Sequence, residues 1–455
     1  MVATADATAA PQAATSSLMA DKRVSDSSLE PVSSEKRKAP ALAATAATSS
    51  SAGLPNQASK KGASADALKF DDVPLDKVSF FQRMKTFGRS FKYLYRLSPK
   101  QMEEFMDSYV IYSLDWADEE AMIAALGPNY QERVGACLRS YYGVLNHLCA
   151  LGEIEKMYIP PYMDGRATVT QNQLLYERAV AGAIGAKPGM RLLDLGCGRG
   201  RVAAHMTTAT GAFVTGLNID PDQISSAREY ATKHGLTENN FVIQDMNDGP
   251  LPFEDESFDG FYQIQAMSLC KDLPFMFREI FRVLKPGAKL SLLDWVSFPT
   301  YDPTNPEHAE LMRRVKPLIG AVGTPTPTSF ERDIRAAGFT VTKSENASVG
   351  GLQSPLIGTV DGYFRFMRSL IHGLVKVRVL PQHFRTLFDR FCLDGEAFVK
   401  MDEMRLITTS YWIVAEKPVA AAATTADPAT TEATVDSATT AVEAPAASAV
   451  DAAAQ

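Results

Sequence analysis

Eleven residues constrain this chain more than any others: Arg191-Leu-Leu-Asp194-Leu-Gly196-Cys-Gly198-Arg-Gly200-Arg201. Leu192 to Leu195 reads as a short buried parallel strand, and Val202 to Met206 opens a helix. The Gly-x-Gly-x-Gly between them is therefore a strand-to-helix turn. Glycines suit it because the turn needs unusual backbone angles and because a ligand must approach the backbone closely. Alone, the pattern fits any nucleotide-binding α/β protein. Asp194 narrows it, since a carboxylate at the strand's end repels a pyrophosphate and attracts an ammonium group. Asp194, Gly196, Gly198 and Gly200 are accordingly the first cofactor-binding candidates.

The ends of the 455-residue chain cannot fold in the same way. Residues 1–69 are rich in Ala, Ser and Thr, and the first aromatic is Phe70. Residues 419–455 hold no aromatic, Lys or Arg, and five acids there supply most of the net charge of −7. Neither end buries enough apolar surface to offset chain entropy, so both are expected to be disordered. The acidic balance, without a Lys/Arg-dense stretch, excludes a nucleic-acid partner. Cys137, Cys149, Cys197, Cys270 and Cys392 show neither metal-ligand spacing nor a disulfide framework. No apolar run reaches about 18 residues, so the expected location is cytoplasmic or peripheral on the endoplasmic reticulum. The amino-terminal stretch carries Asp6, Asp21, Asp26, Glu30 and Glu35, more acid than an organelle transit peptide usually has.

From Lys77 to Lys100 there are seven basic residues and no acidic ones. Phe80, Met84, Phe87, Phe91 and Leu94 recur at helical spacing, opposite Lys85, Arg89, Lys92 and Arg96. Such a helix can lie on an anionic membrane surface, or pack on the domain with its basic face in water. Ser98 and Pro99 start a second helix. Arg133 to Leu148 and Gln171 to Ile184 are further helices, separated by Met157-Tyr-Ile-Pro-Pro-Tyr162, where each proline disfavours helix before it.

Beyond the glycine loop, strands and helices alternate as a doubly wound fold requires. Strands are expected at Ala212–Leu217, Phe241–Gln244, Gly260–Gln265, Lys289–Trp295, after Gly338, and at Ser410–Glu416, seven in all with the first. Asp220 caps a helix that begins at Pro221. Asn218 ends the second strand where an acid usually holds ribose hydroxyls. Asp245 and Met246 follow the third, at the place for an adenine amine and ring face. The parts are thus a helical cap over 70–160, a Rossmann-like core over 161–300, and a region over 301–418 that completes the sheet and the substrate cavity.

The loop Asp194-x-Gly196-x-Gly198-x-Gly200, with Asp245-Met246 and Lys285-Pro-Gly287, resembles that of class I methyltransferases, which implies S-adenosylmethionine as cofactor. From about Arg133 to Pro418 the chain is similar to the sterol 24-C-methyltransferases. The likeness rests on Ser140-Tyr-Tyr142, Gly216-Leu-Asn218, Asp294-Trp295, Tyr301-Asp-x-x-Asn305-Pro-Glu-His308 and the long segment Asp361 to Asp402. It implies methyl transfer to the side-chain alkene of a sterol. No base is needed to prepare an alkene nucleophile, but the resulting cation must be shielded and a proton removed. Three departures stand out. Tyr158-Ile-Pro-Pro-Tyr162 replaces the family's Tyr-Glu-Tyr-Gly-Trp-Gly, Gln265 replaces a glutamate, and Arg199 and Arg201 replace small or apolar residues.

The resemblance makes Asp294 a catalytic candidate, matching the acid of the family's Tyr-Glu-Trp motif. The other reading is a salt-bridged structural aspartate. His308 is a candidate base or a loop hydrogen-bonding residue. Gln265 joins the cofactor set, in which Asp245 has the alternative of a loop cap. Tyr141, Tyr142, Tyr158, Tyr162 and Trp295 are the substrate-binding candidates, with Tyr158 and Tyr162 alternatively packing under the cap. Arg199 and Arg201 either meet an anionic group or are solvated surface residues. Three functions follow: C-methylation of a sterol or triterpenoid lipid, O- or N-methylation of a smaller metabolite, which would need a base, and regulatory cofactor binding without turnover. Homo-oligomerisation is left open.

Overall fold

The computed structural model describes residues 80–116, 118–152 and 154–419. The tails expected over 1–69 and 419–455, Val419 excepted, lie outside these residues, as do positions 70–79 of the cap.

Seven strands form one sheet: β1 (Arg191–Leu195), β2 (Phe213–Asn218), β3 (Asn240–Ile243), β4 (Phe258–Ile264), β5 (Leu284–Ser297), β6 (Thr340–Asn346) and β7 (Ile407–Glu416). Their order is β3-β2-β1-β4-β5-β7-β6. The pairs from β3 across to β5 are parallel, and β7 enters antiparallel between β5 and β6. The strand order reverses at β1, between β2 and β4. Ligands of open α/β sheets bind beyond the strands' carboxyl ends at such a point, and here that end carries Asp194 and the glycines.

Local signals account for the elements around it. Asp220 Oδ1 accepts from the backbone of Asp222 at 2.9 Å and starts α7 (Pro221–Lys233), with Pro221 at the first helical position. Thr168 and Gln171 cap α5 (Val169–Ala183) reciprocally, and α6 (Arg201–Thr210) begins directly after Gly200. On one side of the sheet, α8 (Leu273–Val283) and α10 (Pro327–Ala336) bury Phe277, Ile280, Phe330 and Ile334 against Phe258, Phe261 and Leu292.

A helical cap joins distant parts of the chain. It contains α1 (Phe80–Tyr95), α2 (Pro99–Asp107), α3 (Glu119–Leu126) and α4 (Tyr130–Leu151), packed in one core with α11 (Ser354–Lys376) and α12 (Gln382–Phe391). The remaining helices are α9 (Pro306–Ile319) and α13 (Gly395–Glu403). Within α1 the apolar stripe is largely a packing face. Leu94 is fully buried, and the Phe91 ring sits 5.4 Å from Phe384 and 6.2 Å from Phe87. Burying such a side chain contributes about 1.5–3 kcal/mol. Phe81 and Met84, one to two turns earlier, remain exposed.

Candidate active site

The glycine loop owes its shape to three left-handed residues, with φ of 79° at Gly196, 54° at Gly198 and 68° at Gly200. A Cβ on Gly196 would overlap Ala266, which follows β4, and one on Gly198 would press Gln223 Oε1 at 3.2 Å. The loop forms one wall of a cleft lined also by Asp194, Met157, Tyr158 and Ile264.

Asp194 is buried at the cleft's base, and its Oδ2 accepts from the Tyr262 hydroxyl at 3.0 Å. Burial pushes its carboxyl up to about 7, an effect that the Tyr262 bond opposes and the nearby Glu177 charge reinforces. Asn218 ends β2 with Nδ2 buried and unpaired. Asp245 accepts from the backbone and side-chain nitrogens of Asn247 through Oδ1, so it caps its own turn while keeping Oδ2 for another donor. Met246 packs half-buried beside it.

Gln265 does not join this set, contrary to the expectation of cofactor contact. Its Oε1 accepts from Ile159 N at 2.9 Å, and its Nε2 donates to Ile159 O and Thr409 O, both at 2.7 Å. Its φ of 52° is a left-handed conformation costly for a residue with a side chain. The amide is consumed in clamping the segment between α4 and α5 onto the sheet. Gln173 bonds the carbonyls of Lys156 and Tyr158, and Gln353 bonds that of Pro160.

The five substrate-binding candidates divide. Tyr158 is buried, its hydroxyl donating to Glu177 Oε1 at 2.7 Å with Gln173 O a further 3.1 Å contact, so it packs under the cap at the cofactor cleft. Tyr162 is fixed through its backbone to Ser348 Oγ and Val349 N, apart from the other tyrosines. Tyr141 and Tyr142 come together: their rings lie 5.0 Å apart, and Tyr109 and Tyr112 stand edge-on to Tyr141 at 5.2 and 5.0 Å. The Tyr112 hydroxyl is buried without a partner. Trp295 is buried between β5 and helices α9 and α13, with Nε1 unpaired.

Asp294 is held by four hydrogen-bond donors, with no ion pair among the described residues. Its Oδ2 accepts from Gln263 Nε2 at 3.0 Å, Met267 N at 2.9 Å and Ser268 N at 3.2 Å, and its Oδ1 from Trp295 N at 2.8 Å. It therefore positions the turn containing Ala266, the residue against Gly196. Burial raises its carboxyl to about 6 against these four donors. The charge also reaches Tyr142, whose hydroxyl burial and Asp294 together push up to about 12. His308, the second catalytic candidate, stands in the first turn of α9. Its Nδ1 accepts from Asp302 N at 3.1 Å and its ring stacks on Tyr301, and no contact joins it to Asp294 among the described residues.

One group escapes sequence reading. Glu177, fully buried on α5, accepts from Lys156 at 2.6 and 2.8 Å, from Tyr158, and meets His205 Nδ1 at 2.6 Å. It ties the cap segment to α6 directly behind the loop. Lys156 and His205 overcome the burial penalty and hold its carboxyl below the usual range. The available signal is an acid on the apolar face of α5, three residues from both Leu174 and Val180.

Sheet order, switch-point loop and cleft define a methyltransferase-type α/β fold. Residues 186–322 match the family described as methyltransferase domain. A methyltransferase, phqN, of Penicillium fellutanum is 35% identical over 60% of this chain and 88% of its own. The sterol 24-C-methyltransferase ERG6B of Gibberella zeae is 29% identical over 66% of this chain and 84% of its own. Botryococcene C-methyltransferase of Botryococcus braunii is 30% identical over 54% of this chain, and the match spans 66% of that enzyme. The chain belongs to the S-adenosylmethionine-dependent methyltransferases, as a divergent relative of the sterol 24-C-methyltransferases. Its residues fit the cofactor: a glycine loop whose Gly198 leaves no room for a Cβ beside cleft-lining Gln223, a buried acid that would meet the ammonium, and an orphaned buried amide on Asn218 that would meet the ribose.

Proposed function

We propose that this enzyme methylates the alkene carbon of a sterol or related triterpenoid lipid. Bound S-adenosylmethionine supplies an electrophilic methyl group; the rest depends on this chain's own residues. Asp194, the three glycines, Asn218, Asp245 and Met246 would hold the cofactor at the switch point. The observation that carries the acceptor class is the cluster of Tyr109, Tyr112, Tyr141 and Tyr142 in an otherwise apolar helical cap, near the buried Asp294 charge. Aromatic faces and a buried carboxylate favour a cationic carbon, and an alkene asks for no activating base. The tyrosine hydroxyls, pushed well up by burial, stay protonated and polar without becoming bases. The C-methyltransferase activities named for two relatives, on botryococcene and on a sterol, agree with this reading.

The test is incubation with methyl-labelled S-adenosylmethionine and a panel of sterols, linear triterpenes and small phenols or amines. The proposal expects label in the nonpolar lipid extract, with a saturated triterpane giving none. Label confined to the phenols or amines would replace it with O- or N-methylation.

A further inference from the structure

Sequence reading leaves Arg199 and Arg201 as either solvated arginines or anion contacts, and the structure distinguishes the two residues. Both are partly buried and line the cofactor cleft. Arg201 is fully engaged. It donates to Glu155 at 3.4 Å and to the Arg199 carbonyl at 3.0 Å, and lies over the Tyr230 ring at 3.7 Å. Lys156, on the cap wall, is committed to Glu177. Arg199 has one long bond, from Nε to Ser226 Oγ at 3.4 Å, and its two Nη groups carry none among the described residues.

The surroundings are electropositive. Burial, then Arg201 and Arg89, bring the Arg199 guanidinium down to about 10, while Glu155 and Asp220 partly offset them. Burial, then Arg199 and Arg89, bring His147 on α4 down to about 4. Like charges gathered in a half-buried cleft are unfavourable unless an anion joins them. A second, independent feature lies in the same cleft: the Asn146 side chain, 6% exposed, with its Oδ1 unpaired. Asp194 provides the opposite charge on the loop's other side. The cleft thus carries an acid, a base and a free amide oxygen around the glycine backbone.

We infer that Arg199 receives the α-carboxylate of the methionine tail of S-adenosylmethionine. The zwitterionic tail then lies between Asp194, which takes its ammonium with help from Asn146 Oδ1, and the Arg199 fork. Two Nη groups match a carboxylate through parallel hydrogen bonds, a geometry that lysine cannot reproduce. Position 199 thereby becomes a cofactor-binding residue within the glycine loop itself.

Calorimetry on the full chain tests this with two ligands. S-adenosylhomocysteine carries the amino-acid tail, and 5′-methylthioadenosine lacks both its charges. Arg199→Met should weaken S-adenosylhomocysteine by about tenfold or more and leave methylthioadenosine within about twofold, while Arg199→Lys restores only part of the loss. Equal losses for both ligands would mean general damage to the loop and overturn the inference. Unchanged S-adenosylhomocysteine affinity overturns it too. If in that case thermal protection by inorganic pyrophosphate vanishes with Arg199→Met, the arginine serves an anionic acceptor instead. Failure of the parent protein to bind either nucleoside would instead sink the cofactor assignment itself.

Discussion

Lowering the pH should weaken cofactor binding, and Asp194 should set the slope. Without ligand, burial holds this carboxyl at about 7, so it is largely protonated in mildly acidic solution. A tail ammonium placed beside it favours the ionised form and returns the pKa toward the ordinary carboxylate value of about 4. Binding therefore requires loss of a proton wherever the free site holds one. The sign follows: affinity is full above about pH 7 and falls as pH drops through that value. From about pH 8 to about pH 6 the expected loss is about tenfold, or about 1.4 kcal/mol, growing toward a further tenfold by about pH 5. Calorimetry with S-adenosylhomocysteine, in buffers of different ionisation heats, reads both the affinity and the proton released. The other charged groups lining the cleft are Glu155, Lys156, Arg199 and Arg201, and Glu177 lies behind it in contact with His205. Asp194→Asn separates these contributions, since it should bind more weakly at pH 8 and lose the slope. A flat profile in the parent, or the same slope in the variant, would refute the reasoning.

Three further outcomes follow from the geometry. Ligand-free Asp194→Asn should be more heat-stable than the parent above about pH 7. A raised carboxyl contributes stability that is fully present below about pH 4 and lost as pH rises through about 7; thermal melts across that range check it. Gly198→Val should abolish S-adenosylhomocysteine binding, because a branched Cβ is strained at φ 54° and presses Gln223 at the cleft; unchanged affinity in a folded variant would misplace the cofactor. Asp294→Asn should destabilise the fold by about 1–3 kcal/mol, because an amide nitrogen cannot accept from the backbone donors gathered there. Parent-like stability with a hundredfold slower transfer would instead restore Asp294 to direct contact with the acceptor.

What the sequence reveals about this enzyme tracks how local the governing interactions are. The glycine loop, the Asp220-Pro221 start of α7 and the Ser98-Pro99 start of α2 are each decided within a few residues, and the structure has them where the pattern puts them. The ends of β2 and β3 follow from the same alternation. The cap segment is another matter. Its backbone is held by Gln173, Gln265 and Gln353, the last two 106 and 193 residues from their partners, and nothing in the spacing of glutamines announces that. Gln265 is consequently read as a cofactor residue when it is a clamp. The hydrogen bonds that occupy Asp294 and His308 are hidden for a similar reason. A carboxylate at a strand's end and a histidine at a helix start look alike in sequence whether they face a ligand or bond a neighbouring backbone. The tyrosine cluster is half legible: Tyr141 and Tyr142 stand out, but Tyr109 and Tyr112 join them only through the packing of the 3₁₀ turn before α3 against α4.

The central claim is that the methyl group forms a bond to carbon in a lipid. Carbon NMR of the product made from S-adenosylmethionine with a ¹³C-labelled methyl group tests it most directly, using the sterol or linear triterpene that accepts label best. The account predicts the labelled carbon coupled to a former alkene carbon in the lipid. A labelled methyl attached to oxygen or nitrogen would contradict it.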